Sequence, residues 1–206
     1  LDVLPALRAR AGEYGESIDF IDLRWGVNTG NMSEEEANRK VLKVCLNNID
    51  RAKPYMLILL GERYGWMPPR DLLDDASNEK GYNRKFSDES VTALEIEYGA
   101  LAQEDLSNCI VCMREPLPED EMDEASRRDY KAESSEHKIR LERIKSELKE
   151  RLGNRIITYK VGWDSKKKRP CGLEELSKKL IERFTQLWEA DWKSSRSREW
   201  QEVELR

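Results

Sequence analysis

The apolar positions of this chain fall into short runs that change period from one stretch to the next. The opening residues, Leu1 to Tyr14, read as a helix. Ser17-Ile-Asp-Phe-Ile-Asp-Leu23 then alternates apolar and polar positions, the period of a half-buried strand. A polar, glycine-containing loop over residues 24–31 follows it. From Ser33 the period becomes helical, with Ala37, Val41, Val44, Cys45, Ile49 and Ala52 recurring on one side. Ser33 with Glu36 predicts a capping box at the start of this helix, and Pro54 predicts its end. Tyr55-Met-Leu-Ile-Leu-Leu60 is apolar throughout, which suits a central parallel strand covered on both faces. The glycines and prolines of residues 61–69 predict an irregular loop at that strand's carboxyl end. Residues 70–89 are polar without a period and are expected to be a long surface loop.

Ser90 can cap a further helix running to about Glu104, and Asn108–Met113 is the third apolar strand. Residues 114–135, acidic and proline-containing, are expected to be mobile. A charged helix follows to about Leu152, with a narrow stripe of Leu141, Ile144, Leu148 and Leu152, and Gly153-Asn154 closes it. Arg155–Val161 reads as a fourth strand. The last helix begins near Gly172 and turns Leu173, Leu176, Leu180, Phe184, Leu187 and Trp188 inward. Strands alternating with helices predict an α/β domain over residues 1–190, a parallel sheet with helices on both sides; residues 191–206 read as a linker or connecting helix. A doubly wound domain opens with a strand, whereas this chain opens with a helix and with Leu1 in place of methionine. The expectation is therefore a piece of a longer polypeptide whose first strand is missing from this stretch.

Composition narrows the function classes. Net charge is −5 and the pI about 5.3, which argues against a general nucleic-acid binder. The one basic run, Lys166–Arg169, reads as a solvated loop. No apolar stretch approaches the ~20 residues that cross a membrane, so no membrane partner is expected. The cysteines are Cys45, Cys109, Cys112 and Cys171. Cys109 and Cys112 have the CxxC spacing, but strand alternation sends them to opposite faces. With His137 as the single histidine, no metal site is expected. Reduced, buried cysteines and no visible signal peptide predict a cytoplasmic protein.

Four segments occur here in one order: Asp22-Leu-Arg-Trp-Gly-Val27, the pairs Val41-Leu42 and Cys45-Leu46, Leu60-Gly-Glu-Arg-Tyr-Gly-Trp66, and Ser90-Val-Thr-Ala-Leu-Glu-Ile96. Together they resemble the TIR-like (Toll/interleukin-receptor-like) domain that precedes NACHT or related STAND ATPase modules. Such domains occur in nephrocystin and telomerase-associated protein relatives and in bacterial STAND proteins. The resemblance implies a flavodoxin-like three-layer fold, related to TIR domains and nucleoside deoxyribosyltransferases. Some such domains cleave NAD at the nicotinamide–ribose bond, and others only assemble. In catalytic members a glutamate on the helix after the third strand does the work, near a small hydroxyl residue upstream; Glu95 and Ser90 match these. No cofactor is implied, and NAD would be a substrate. The implied partners are the ATPase and repeat modules of a parent protein and further copies of the domain.

The residues support a ligand site on their own terms. At helical spacing Glu95 falls between Val91, Tyr98 and Ala102, at the edge of an apolar face. A carboxylate there is partly desolvated, which raises its pKa, and it can stabilise or trap an oxocarbenium-like ribose. The equally weighted alternative pairs Glu95 with Arg24 or Arg63 to hold loops together. Trp25 and Trp66 lie in loops expected at the sheet's carboxyl edge, where open α/β sheets bind ligands. Either could stack on a ring, although capping the core is the commoner role. Arg24 and Arg63 are candidate phosphate contacts or ion-pair partners. Tyr64 and Tyr98 are candidate ribose contacts or packing residues. Ser90 reads mainly as a helix cap. Three functions stay open: an NAD-cleaving effector domain, a non-catalytic oligomerisation module, and a deoxyribosyltransferase-like enzyme.

Overall fold

The computed structural model describes residues 3–23, 32–81 and 89–204, without the side chains of Ser77 and of residues 195–204. Two compact units emerge: residues 21–169 form one, and residues 1–20 with 170–206 form the other.

The larger unit is built on a parallel sheet. Its strands are β1 (Met56–Leu60), β2 (Cys109–Arg114) and β3 (Ile157–Tyr159), in the order β1-β2-β3. Leu60 stands opposite Met113, and Arg114 opposite Tyr159, so the carboxyl ends of the strands lie side by side. The fully covered strand is β2, buried from Cys109 to Met113. The expectation that residues 55–60 form the central strand is corrected: among the described residues β1 ends the sheet order, and Leu59 is 45% exposed. Two further short strands, β4 (Gly162–Asp164) and β5 (Arg169–Cys171), lie outside this sheet. Parallel strands with flanking helices make this a mixed α/β fold of the flavodoxin-like kind.

Two apolar clusters hold the helices. The first joins Ile58, Leu60, Val111 and Met113 of the sheet to Ala93 and Ile96 of α4 (Val91–Ile96) and to Leu141, Leu148 and Leu152 of α6 (Ser135–Leu152). The second joins Leu42, Leu46 and Ile49 of α2 (Glu34–Ala52), Leu72, Leu73 and Ala76 of α3 (Arg70–Glu79), and Leu94 of α4. Helix α4 thus contributes to both, Ala93 and Ile96 to one and Leu94 to the other. The capping box at α2 forms as expected, Ser33 Oγ accepting from the Glu36 amide while the Glu36 carboxylate accepts from the Ser33 amide.

Four expectations are corrected. Ser17–Leu23 is not a strand: Arg8 Nε donates to the Ile18 carbonyl at 3.1 Å, taking an acceptor that a ladder would use, and Phe20 is exposed. Within the segment expected as a loop, Arg70–Glu79 is α3, and its three buried residues suffice to dock it. The stretch expected to be mobile contains α5 (Glu124–Tyr130), capped by Asp123, with Leu117 and Met122 buried beside it. The helix after Ser90 does not run evenly to Glu104: a π-helical turn, Glu97–Leu101, follows α4 and ends it early.

The smaller unit contains α1 (Val3–Gly12) and α7 (Glu174–Glu204). Tyr14 packs edge-on to Trp188 and Trp192, with ring centroids 5.0 and 4.9 Å away. Arg10 binds Glu189 at 2.8 Å. Leu176 and Leu180 are buried as the spacing predicts, and the helix continues to Glu204, into the stretch read as a linker or connecting helix. Three of the free cysteines, Cys45, Cys109 and Cys112, are buried; Cys171 is exposed, against the expectation of burial.

Candidate functional site

The candidate residues gather around α4, on two sides of it. Ser90 caps the helix, its hydroxyl accepting from the Ala93 amide at 3.1 Å and donating to the Tyr64 carbonyl at 2.7 Å. The Val91 amide donates to the Trp66 carbonyl at 2.9 Å. The loop leaving β1 is therefore stitched to the start of α4, and Ser90, buried completely, is a cap that also anchors a loop. Gly65 sits at φ +100°, and a Cβ there would come within 2.9 Å of Thr92 Oγ1, so glycine is required twice over.

Glu95 points to α2. Its carboxylate accepts from the Cys45 thiol; Arg63 binds Glu133 instead, and Arg24 lies outside the described residues. Burial pushes the Glu95 carboxyl up, and the Cys45 hydrogen bond only partly offsets this. Burial, with the Glu95 charge beside it, pushes the Cys45 thiol up strongly. Cys45 therefore stays a thiol and is not an activated thiolate.

Tyr98 also faces α2. Its hydroxyl donates to Asp50 at 2.8 Å; Lys80 and Lys53 reach the same carboxylate at 2.6 and 3.1 Å. Burial pushes the Asp50 carboxyl up, but the Lys80, Tyr98 and Lys53 hydrogen bonds outweigh it and hold it at about 2. Burial and the Asp50 bond push the Tyr98 hydroxyl up to about 12. Tyr98 is thus tied into a network that fastens α2, the segment after α3 and the π-helical turn together.

Arg63 turns the other way. Its Nε donates to Glu133 Oε1 at 3.0 Å, and a terminal nitrogen donates to the Asp129 carbonyl at 3.2 Å. The Tyr64 and Gly65 amides donate to the same Glu133 carboxylate at 3.2 and 3.3 Å. Burial pushes Glu133 up, but a hydrogen bond from its own amide, those of Arg63 and the two loop amides outweigh it, and its pKa lies below the ordinary value. Beside this loop, Arg114 at the end of β2 is largely buried and pairs with Glu62 at 3.5 Å; its Nε has no hydrogen-bond partner. A groove of about 290 Å³ runs between α4 and α6, bordered by Tyr64, Ala93, Glu97, Arg140, Arg143 and Ile144. Glu95 does not border it.

Residues 8–168 match a protein family described as "Domain of unknown function (DUF4062)". The chain belongs to this family. Among curated relatives, telomerase protein component 1 of Rattus norvegicus is 32% identical over 165 residues, which is 78% of this chain and 6% of that protein. The Mus musculus protein of the same name is 31% identical over 166 residues, 78% of this chain and 6% of its own length. A TPR repeat-containing protein of Dictyostelium discoideum is 26% identical over 157 residues, 71% of this chain and 9% of that protein. The chain thus spans less than a tenth of the length of these relatives, in which the matching region is one part of a much larger polypeptide. No solved structure matches it.

In this DUF4062 chain the structure brings Tyr64, Trp66 and Ser90 together through backbone and cap bonds, and it sets Glu95 and Tyr98 against α2. Arg63 neighbours the first group but binds Glu133. Trp66 is 48% exposed and Tyr64 is buried. Arg24 and Trp25 lie outside the described residues. Sequence reading missed Cys45, Asp50 and Glu133 as partners. Cys45 and Asp50 carry no signal beyond lying on a helix, and Glu133 stood in a stretch read as mobile. Asp123 and Ser134, each capping the third residue onward, were the available sign that helices begin there.

Proposed function

We propose that this chain is a TIR-like signalling domain of a larger STAND-type, NACHT-containing protein, and that it works by assembly without turnover. The observation that carries this reading is the position of Glu95. A carboxylate that acts on NAD has to reach the ribose, within hydrogen-bond range of the reacting atoms. Here the Glu95 carboxylate meets the Cys45 thiol in the packing of α2 against α4 and stays off the α4–α6 groove. The small share of the relatives' length that the chain spans supports a role as one module among several. Its partners are then the ATPase and repeat modules of the parent and further copies of itself, in the cytoplasm.

A second reading, an NAD glycohydrolase, has one observation in its favour. Glu95 is desolvated, its pKa raised, and no ion-pair partner is described for it, a condition that suits proton transfer or stabilisation of a ribosyl cation. The deoxyribosyltransferase-like reading would draw on the same carboxylate. One experiment separates the three. The chain, artificially clustered, is incubated with NAD and, in parallel, with a panel of nucleosides. The expected result is self-association by light scattering, with no release of nicotinamide or free base above a protein-free blank. Release of nicotinamide that disappears in Glu95→Gln would replace the assembly reading by the glycohydrolase. Release of base from a nucleoside would replace it by the transferase.

A further inference from the structure

The loop leaving β1 holds a carboxylate as a binding site holds a ligand. Tyr64 and Gly65 aim consecutive backbone N–H groups at Glu133, and Arg63 Nε donates to Oε1, the oxygen that Gly65 also binds. Consecutive amides converging on one anion form a nest, a concavity that binds phosphates and carboxylates. The positive φ of Gly65 is the backbone geometry such a turn uses. Arginine beside it completes a donor set suited to oxyanions. The site lies at the carboxyl end of a parallel strand, the edge at which open α/β sheets take ligands.

Its occupant is a side chain from far along the sequence, 68 residues beyond Gly65. Glu133 sits in the short connection between α5 and α6, one residue before the Ser134 cap. It can therefore leave the nest without breaking a helical hydrogen bond of either helix. Arg63 is 53% exposed and Glu133 26%, so solvent reaches the contact. One donor set is also underused. His137 Nδ1 is buried 3.5 Å from Glu133 Oε2 and has no hydrogen-bond partner. A carboxylate brings only two oxygens to this place, whereas a tetrahedral oxyanion brings more.

We infer that Arg63, Tyr64 and Gly65 form a binding site for an oxyanion group, phosphate or carboxylate, of an incoming ligand, and that Glu133 is its built-in competitor. Assembly and anion binding are separate properties, so failure of one leaves the other standing. Glu133 keeps the nest filled until a ligand of sufficient charge or concentration displaces it. The same displacement frees the connection between α5 and α6, which gives the site a means of reporting occupancy.

The test follows the amide resonances of Tyr64 and Gly65 in the whole chain while inorganic phosphate, and separately acetate, is titrated in at constant ionic strength. In Glu133→Ala, phosphate is expected to shift these amides saturably, with a dissociation constant at least tenfold below that of the unaltered chain. Adding Arg63→Gln removes the effect. Saturation by acetate as well assigns a site open to carboxylates, and saturation by phosphate alone assigns one selective for tetrahedral oxyanions; both support the inference. Shifts that never saturate, that scatter over surface lysines (an adventitious ion only), or that are equal with and without Glu133 overturn it. Should Glu133→Ala lose its dispersed spectrum, Glu133→Gln takes its place, keeping the shape of the contact without its charge. Loss of the fold in both variants would make Glu133 a fixed strut and overturn the inference too.

Discussion

The two sides of α4 solve opposite problems with the same residue types. Towards α2, carboxylates sit inside packing: Glu95 against the Cys45 thiol, with Leu94 fully buried alongside. Towards the β1 loop, the carboxylate of Glu133 meets backbone amides and an arginine in reach of solvent. One environment raises a glutamate's pKa, and the other lowers it. Burial opposes charge on both sides. At Glu133 the loop supplies enough donors to outweigh it, whereas at Glu95 the single Cys45 contact does not. A carboxylate's sequence neighbours say little about which case applies, because the deciding donors come from other segments.

The sharpest way to break this contrast is to hollow out the packed side. Leu94→Ala removes a fully buried side chain between α2, α3 and α4, and should cost about 2–5 kcal/mol in chemical denaturation. A loss near zero would mean that this side is not close-packed. On the loop side, Gly65→Ala forces a Cβ into the positive-φ region and against Thr92, at an expected cost of roughly 1–3 kcal/mol. The change should also weaken any anion binding at the Tyr64 and Gly65 amides. An unchanged melting curve with native amide shifts would show that the loop tolerates another conformation.

The smallest expected effect is the most specific. Because the folded Glu95 carboxyl is raised, its ionisation opposes folding. Its favourable contribution is fully present below the unfolded value of about 4.3 and is lost as pH rises through the folded one. Glu95→Gln should therefore flatten the stability profile over that window. At neutral pH the variant should match or exceed the unaltered chain, by about 1 kcal/mol or less. A variant that is less stable at neutral pH, with an unchanged profile, would show that the carboxylate is held ionised by a stronger partner.

Much of the α/β framework was legible in the chain, for identifiable reasons. The apolar runs at residues 56–60 and 109–113 have few alternatives to a buried strand, and Ser33 with Glu36 marks a helix start by its own hydrogen bonds. Helix α3 was not legible, because its buried face amounts to Leu72, Leu73 and Ala76 among acidic neighbours. The alternation at residues 17–23 was present, but alternation names only a preference, and Arg8 satisfies part of that backbone instead. At the site, the placement of Glu95 at the edge of an apolar face could be read from helical spacing. Its partner could not: Cys45 lies 50 residues earlier in the sequence, and only the packing of α2 on α4 brings it close.

Gly99, in the π-helical turn, faces the sheet with nothing beyond its backbone. A Cβ there would overlap the Met56 thioether, lying 2.7 Å from its terminal methyl carbon, and would crowd Ile49 at 3.2 Å. In mechanical terms the turn meets β1 and α2 through the Met56 and Ile49 side chains, and the bare backbone of Gly99 leaves them the room. The strand that carries the nest loop is thus in contact with the turn through the Met56 thioether, a flexible side chain. A bulkier residue at position 99 would have to push the Met56 thioether and Ile49 aside, and would therefore change how the turn seats on β1 and α2 before it changed any residue of the nest.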